Sequence, residues 1–184
     1  LNAGALPVKK IDIISERTVG ASLGQESVNK SLYAGIIGLF VIGIFMIFFY
    51  GIPGILADVA LIIYTLISVS VFKVVPVTLT LAGIAGFILS IGMAVDANVL
   101  IFERMKEELR AGRLRKQAIE IGFSRAWNSI RDSNFSSLIT TAILFYFGTG
   151  QVRGFALTLA IGILVSMFTA ITVTRTFLRV VYKA

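Results

Sequence analysis

The stretch from Val77 to Phe102, VTLTLAGIAGFILSIGMAVDANVLIF, carries one charged residue, Asp96, and is long enough to cross the hydrocarbon core of a bilayer as a helix. The runs before it are of the same kind. Ser31 to Tyr50 is twenty residues without a charge, about 30 Å of helix at the usual rise. Gly51, Pro53 and Gly54 then break the helix, and Ile55 to Phe72 follows, interrupted only by Asp58 near its start and closed by Lys73 and Pro76. After Phe102 the chain turns abruptly polar, from Glu103 to Arg131. There the spacing of Ile101, Met105 and Leu109, and later of Ala118, Ile121 and Phe123, suggests amphipathic helices near the headgroups with basic faces toward anionic lipid. Phe135 to Phe147 is short for a span and must recruit Asp132 to Asn134 or earlier residues to cross, whereas Phe155 to Thr174 is a full span ending at Arg175.

These runs predict an all-α membrane protein: a bundle of five transmembrane helices at about 31–50, 55–72, 77–102, 132–148 and 154–174, within a membrane domain over 31–184, with a basic cytoplasmic helical loop at about 103–131. Residues 1–30 carry the turn formers Gly4, Pro7, Gly20 and Gly24 and are expected as strand or loop outside the bilayer, the end of an extracytoplasmic domain, with a short strand at Lys9 to Ile14. The chain opens at Leu1 without the charged, apolar and small-residue sequence of a signal peptide, and reads as a fragment or a mature piece.

Composition fits this class: 57% of the 184 residues are hydrophobic and 15% charged, with a mean hydropathy of +0.90. The net charge of +7 is gathered beside the apolar runs, where it orients helices, so nucleic acid is not an expected partner. Six basic residues (Lys9, Lys10, Arg17, Lys30, Lys73, Arg153) fall on one side of the five spans and eleven on the other, eight from Arg104 to Arg131 plus Arg175, Arg179 and Lys183. The richer side is cytoplasmic by the positive-inside rule, which puts Leu1 outside and Ala184 inside. With no Cys and no His, disulfides, thiolate chemistry and the commonest transition-metal ligands are excluded together, and no serine nucleophile motif with a base is present; neither an enzyme nor a cofactor is expected.

Asp96 is the residue that carries chemistry. A carboxylate inside an apolar helix costs roughly 2.5–3.5 kcal/mol on insertion scales, so it should face a partner, a cavity or a proton path, or be held as a structural group by hydroxyls. Helical spacing puts Ala85, Leu89 and Gly92 on its side and Gly83, Gly86, Ser90, Ala94 and Ala97 in a small-residue row elsewhere on the helix. With Gly162 of the last span, Gly83, Gly86 and Gly92 are the expected helix-packing glycines; Gly92, one turn from Asp96, also leaves room for water or a partner side chain. The last span has a stripe of Gly154, Thr158, Gly162, Ser166 and Thr169, and the fourth has Asn134, Ser137 and Thr141, with Ser133, Ser136 and Thr140 beside them. Both stripes read either as interhelical packing or as a polar path beside Asp96 formed by Asn134, Ser137, Thr141, Thr158, Ser166 and Thr169.

The string from Ile91 to Leu109, IGMAVDANVLIFERMKEEL, resembles the fourth transmembrane helix of the SecD branch of the SecD/SecF family, within the resistance-nodulation-division superfamily. Glu16 to Gly24, ERTVGASLG, is similar to the lead from that family's periplasmic base into its second helix, and Ile130 to Arg175 resembles its fifth and sixth helices, with GTGQVRGFALTLAIGILVSMFTAITVTR, Gly148 to Arg175, very close to the family pattern. Ala21 and Gln151 stand where the family pattern has Pro, and Ser136 and Ser137 where it has Thr pairs. The resemblance implies a multi-pass subunit of a bacterial or archaeal plasma membrane that uses proton entry to aid preprotein export after ATP-driven translocation. Asp96 then falls on the family's intramembrane aspartate, the proton relay, with protons as the coupling ion. The implied partners are SecF, the SecYEG translocon, YajC and YidC, the unfolded preprotein and the lipid bilayer. A proton-coupled small-molecule exporter of the same superfamily and a structural docking subunit stay open as alternatives.

Overall fold

A computed structural model describes residues 21–75 and 77–182 of the chain, and the strand expected at Lys9 to Ile14 lies outside them. All regular structure among the described residues is helical. α1 (Ala21–Tyr50) and α2 (Ile52–Val74) form a hairpin whose turn residue, Gly51, has a φ of 60°, and whose second helix carries Pro53 in its first turn, where a residue needs no N–H partner. α1 begins ahead of Lys30, within the segment expected as strand or loop. A Glu26–Lys30 ion pair one turn apart at 2.8 Å supports the helix there, and an existing span propagates outward at low cost.

α3 (Leu81–Arg110) is capped by Thr80, whose hydroxyl accepts from the N–H of Gly83 at 3.1 Å. It ends in a tight turn at Gly112, with a φ of 81°, and α4 (Arg115–Phe147) returns beside it. The polar segment after Phe102 is therefore the extended end of α3 joined to the first half of α4, and α4 passes into its apolar half without a break. At 33 residues α4 is about 50 Å long, more than a bilayer core requires, which lets one helix hold both halves. α5 (Gly150–Phe168) continues through a π-helical segment, Thr169–Thr174, into α6 (Arg175–Val181).

α3, α4 and α5 pack on one another as the centre, and α1 lies at the edge against α2 and α3. Gly154 of α5 lies beside Thr80 at the start of α3, and Gly122 of α4 lies beside Met105 near its end. α4 thus runs the length of the bundle from one end of α3 to the other. Four helical stretches are long and apolar enough to cross a membrane: Gly24–Tyr50, Ile52–Val74, Leu81–Arg110 and Gly150–Val181. α4 is not among them, because its first half carries Arg115, Lys116, Glu120, Arg125, Arg131 and Asp132.

The small-residue rows of α3 and α5 meet face to face. A Cβ on Gly86 would come within 2.6 Å of the Phe155 carbonyl oxygen and of the Thr158 hydroxyl, so only glycine permits this approach. Thr158 is buried there and donates to the Gly83 carbonyl across the interface at 2.9 Å. Gly162 lies against Ser90 and Tyr64. The Tyr64 and Ser90 hydroxyls are 2.6 Å apart; because Ser90 also donates to the Phe87 carbonyl at 2.7 Å, Tyr64 is the donor between them.

At the polar end of the bundle, side chains tie the helices together. Glu108, buried at 5% exposure, is held by Arg113 at 2.6 Å and by Arg125 of α4. Glu120 of α4 receives Arg175 and Arg179 of α6, each at 2.6 Å.

Candidate functional site on the outer face of helix α3

The α3 row of Ala85, Leu89, Gly92 and Asp96 is exposed along its length, as helical spacing places it. A Cβ on Gly92 would meet nothing within 4 Å, so this glycine packs on no described residue, unlike Gly83, Gly86 and Gly162. Asp96 itself is exposed, at the edge of a small groove of about 90 Å³ that α3 forms with α4. Met93, Ala97 and Leu100 form the α3 side of that groove, and Ile130, Ser133, Asn134 and Ser137 the α4 side. Among the described residues no cation and no hydrogen-bond donor pairs with the Asp96 carboxylate.

Of the polar residues expected beside Asp96, the groove brings two, Asn134 and Ser137, and adds Ser133. Asn134 donates its amide to the Ile130 carbonyl at 2.7 Å, and Ser137 its hydroxyl to the Ser133 carbonyl at 3.1 Å. Thr141 is buried and turned back on the Leu138 carbonyl at 2.8 Å. Thr158, Ser166 and Thr169 are not part of this groove. They are buried, and their hydroxyls bond to backbone carbonyls of α5 and, for Thr158, of α3. The physical reason is the face of α3 that α5 covers: the Gly83 and Gly86 row, well round the helix from Asp96.

Two features escaped the sequence reading. Asn98, two residues past Asp96, is buried at 5% exposure and accepts the Thr174 hydroxyl at 2.9 Å, linking α3 to the last residue of the π segment. A π segment is invisible to residue spacing, and the β-branched run Thr169, Ile171, Thr172, Val173 and Thr174 is the signal that could have drawn attention to it. The second is Asp58. It lines the groove between α1 and α2 opposite Gly43, and its Oδ2 is buried with no hydrogen-bond partner. Its place inside an apolar run was the available signal.

An exposed, unpaired carboxylate midway along an apolar helix face, with hydroxyls beside it, can bind and release a proton and can pair with a donor from another chain. The model of the protein-export membrane protein SecD/SecF C-terminal family matches residues 4–184. The chain belongs to this family. It is 60% identical over 185 residues to the protein translocase subunit SecD of Thermobaculum terrenum, covering 98% of this chain and 36% of that protein. To the SecD subunit of a Synechocystis species it is 58% identical over 181 residues, covering 98% and 38%. It thus spans little more than a third of these SecD/SecF relatives. The fold is that of the crystal structure of SecDF, a translocon-associated membrane protein from Thermus thermophilus, with a TM-score of 0.88, 39% identity, and coverage of 91% of this chain and 23% of that one.

Proposed function

We propose that this chain forms the membrane part of a proton-motive-force-coupled subunit of the Sec preprotein translocation machinery, in which Asp96 takes up and releases the coupling proton. The observation that carries this reading is the Asp96 carboxylate, exposed and unpartnered on an otherwise apolar stripe of α3. A membrane helix does not leave a carboxylate facing lipid; the partner it needs comes from another subunit. In this reading SecF covers the stripe of Ala85, Leu89, Gly92 and Asp96, with Gly92 admitting its side chain, and SecYEG, YajC and YidC are the further companions. No cofactor takes part. α4 crosses as the fourth of five spans, the tied polar end with the basic residues of Arg104 to Arg131, Arg175 and Arg179 faces the cytoplasm, and the start of α1 faces outward.

The test is a chimaera in which this chain replaces the matching region of a full-length SecD relative, assayed by preprotein export into membrane vesicles with ATP, with and without a proton gradient. Asp96→Asn should insert and fold as the unaltered chimaera does, since an amide is cheaper in the bilayer than a carboxylate, yet lose the gradient-dependent part of export. Asp96→Glu, which keeps the acid, should retain part of it. Asp58→Asn, which removes the carboxylate set in the groove between α1 and α2, away from the Asp96 stripe, should leave the stimulation in place. If the gradient stimulates the chimaera and its Asp96→Asn variant equally, Asp96 is structural and the proton-coupling reading fails.

A further inference from the structure

At the polar end of the bundle, the end of α1, the start of α2, the α3 extension, the start of α4 and the end of α6 enclose a cavity of about 200 Å³. Its floor is buried and apolar: Pro53, Phe102, Met105 and Ile119. Its rim is formed by Tyr50, Lys106, Arg115 and Tyr182. The two cations are each set against an aromatic ring, Lys106 Nζ at 4.2 Å from the Tyr50 ring centre and the Arg115 guanidinium at 5.6 Å from that of Tyr182. No carboxylate lines the cavity. Glu103, beside the rim, accepts from Lys106 at 3.1 Å and from the Tyr50 hydroxyl, while Arg115 has no carboxylate partner among the described residues.

We infer that this cavity is a binding site for the headgroup of an anionic phospholipid, the phosphate held by Lys106 and Arg115 and the upper acyl and glycerol carbons resting on Pro53, Phe102 and Met105. The charge is complementary, and at Arg115 its placement is unfavourable without an anion. Arg115 and Lys116 occupy the first turn of α4, where the helix dipole repels cations, and that turn has neither an acidic residue nor a side-chain cap. The depth also fits. The cavity lies where the apolar runs of α1, α2 and α3 end, and tyrosines at its rim are the aromatic groups that sit at headgroup level. Basic pockets between transmembrane helices at this depth take anionic headgroups. A free phosphate would use the cations and leave the apolar floor uncovered; a phospholipid uses both.

The test uses the chain purified in neutral detergent and probed by native mass spectrometry with phosphatidylglycerol and with phosphatidylcholine. The wild-type chain should retain one phosphatidylglycerol in preference to phosphatidylcholine, and Lys106→Gln combined with Arg115→Gln should lower that affinity roughly 30-fold, the weight of two cations at a membrane surface. Arg153→Gln, which removes a cation at the opposite end of the bundle, should leave it unchanged. Circular dichroism confirms folding, and Arg115→Lys, which keeps the charge, should retain most of the binding. Equal retention of the two lipids, undiminished binding in the double variant, or an equal loss in Arg153→Gln each overturns the site. Displacement of the lipid by inorganic phosphate overturns the lipid as its occupant.

Discussion

Gly86→Ala isolates the contact on which the centre of the bundle depends. The added Cβ would lie 2.6 Å from the Phe155 carbonyl oxygen and 2.6 Å from the Thr158 hydroxyl oxygen, where ordinary contact begins near 3.4 Å. One of those atoms is backbone, so no rotamer change relieves it, and α3 and α5 must part by close to an ångström. Overpacking of this kind costs about 1–3 kcal/mol. Weakening of the Thr158 bond to the Gly83 carbonyl adds about 0.6 kcal/mol, the average for such bonds between membrane helices. The alanine returns up to about 1 kcal/mol of helix propensity, which leaves a net loss of roughly 1–3 kcal/mol. Gly92→Ala is the matched control on the same helix: nothing lies within 4 Å of its Cβ, so the propensity gain stands alone. The assay is unfolding of the detergent-solubilised chain by increasing sodium dodecyl sulfate, followed by fluorescence of Trp127, the single tryptophan. Gly86→Ala should unfold well before the wild-type chain and Gly92→Ala at or slightly after it, and Thr158→Ala added to Gly86→Ala should restore little, because the Phe155 carbonyl remains. If Gly86→Ala unfolds with the wild-type chain, the close α3–α5 approach is not what holds the bundle.

Arg179 and Arg175 hold Glu120 down to about 2 against a smaller opposing push from burial, so these ion pairs favour the docked α6 fully above the ordinary carboxylate range near 4.5 and lose that effect as pH falls toward about 2. Hydrogen exchange of the α6 amides, corrected for intrinsic rates, should therefore be slow at neutral pH and quicken in acid, and in Glu120→Gln it should be fast at both; unchanged protection in acid refutes the tie. Thr174→Val leaves the buried Asn98 side chain without its donor and should destabilise by about 1–3 kcal/mol, with Asn98→Leu in the same chain recovering most of the loss; a single variant as stable as the parent shows the pair to be dispensable. The chain has no cysteine of its own, so single cysteines at Arg113 and at Thr149 report topology directly, the first labelling from the cytoplasmic side and the second from outside. Labelling of the Thr149 site only from the cytoplasmic side sinks the five-span arrangement.

The helices that hydrocarbon must cover were readable because continuous apolarity is itself the signal: α1, α2, α3 and α5 each contain an apolar run of bilayer length. Their ends were not. Composition records where water begins, while a helix stops at a cap or turn, so α3 continues past Phe102 to Arg110 and breaks only at Gly112. α4 illustrates the same separation, one unbroken helix whose polar and apolar halves read as two segments. Spacing also assigned Ala85, Leu89, Gly92 and Asp96 to one face correctly, since period alone fixes which residues share a stripe. Which stripe meets which is a tertiary fact. Gly154, Thr158 and Gly162 face the Gly83 and Gly86 row because small residues on both helices allow the closest approach, and that leaves Asp96 on the uncovered side.

How the polar groups of the apolar helices are satisfied sets Asp96 apart from the others. In hydrocarbon a polar group must find a partner within the protein, and most here do so locally. Thr141, Ser166 and Thr169 donate to carbonyls of their own helix, Thr158 also reaches Gly83, Tyr64 is joined to Ser90, and Thr174 to Asn98. Each such bond fixes a side chain and removes it from any reaction. Among the described residues of these helices, the Ser68 hydroxyl and the carboxylates of Asp58 and Asp96 remain. Asp58 is walled by Gly43, Leu61 and Ile62, with one oxygen sealed from solvent and without a donor, so no second subunit reaches that oxygen. Asp96 stands open on a stripe whose other members are alanine, leucine and glycine, offering a surface that another helix can approach closely. Most buried hydroxyls are paired inside the bundle while the Asp96 carboxylate is left on its approachable face, so a donor from another helix can reach it without unpacking α3 from α4 or α5.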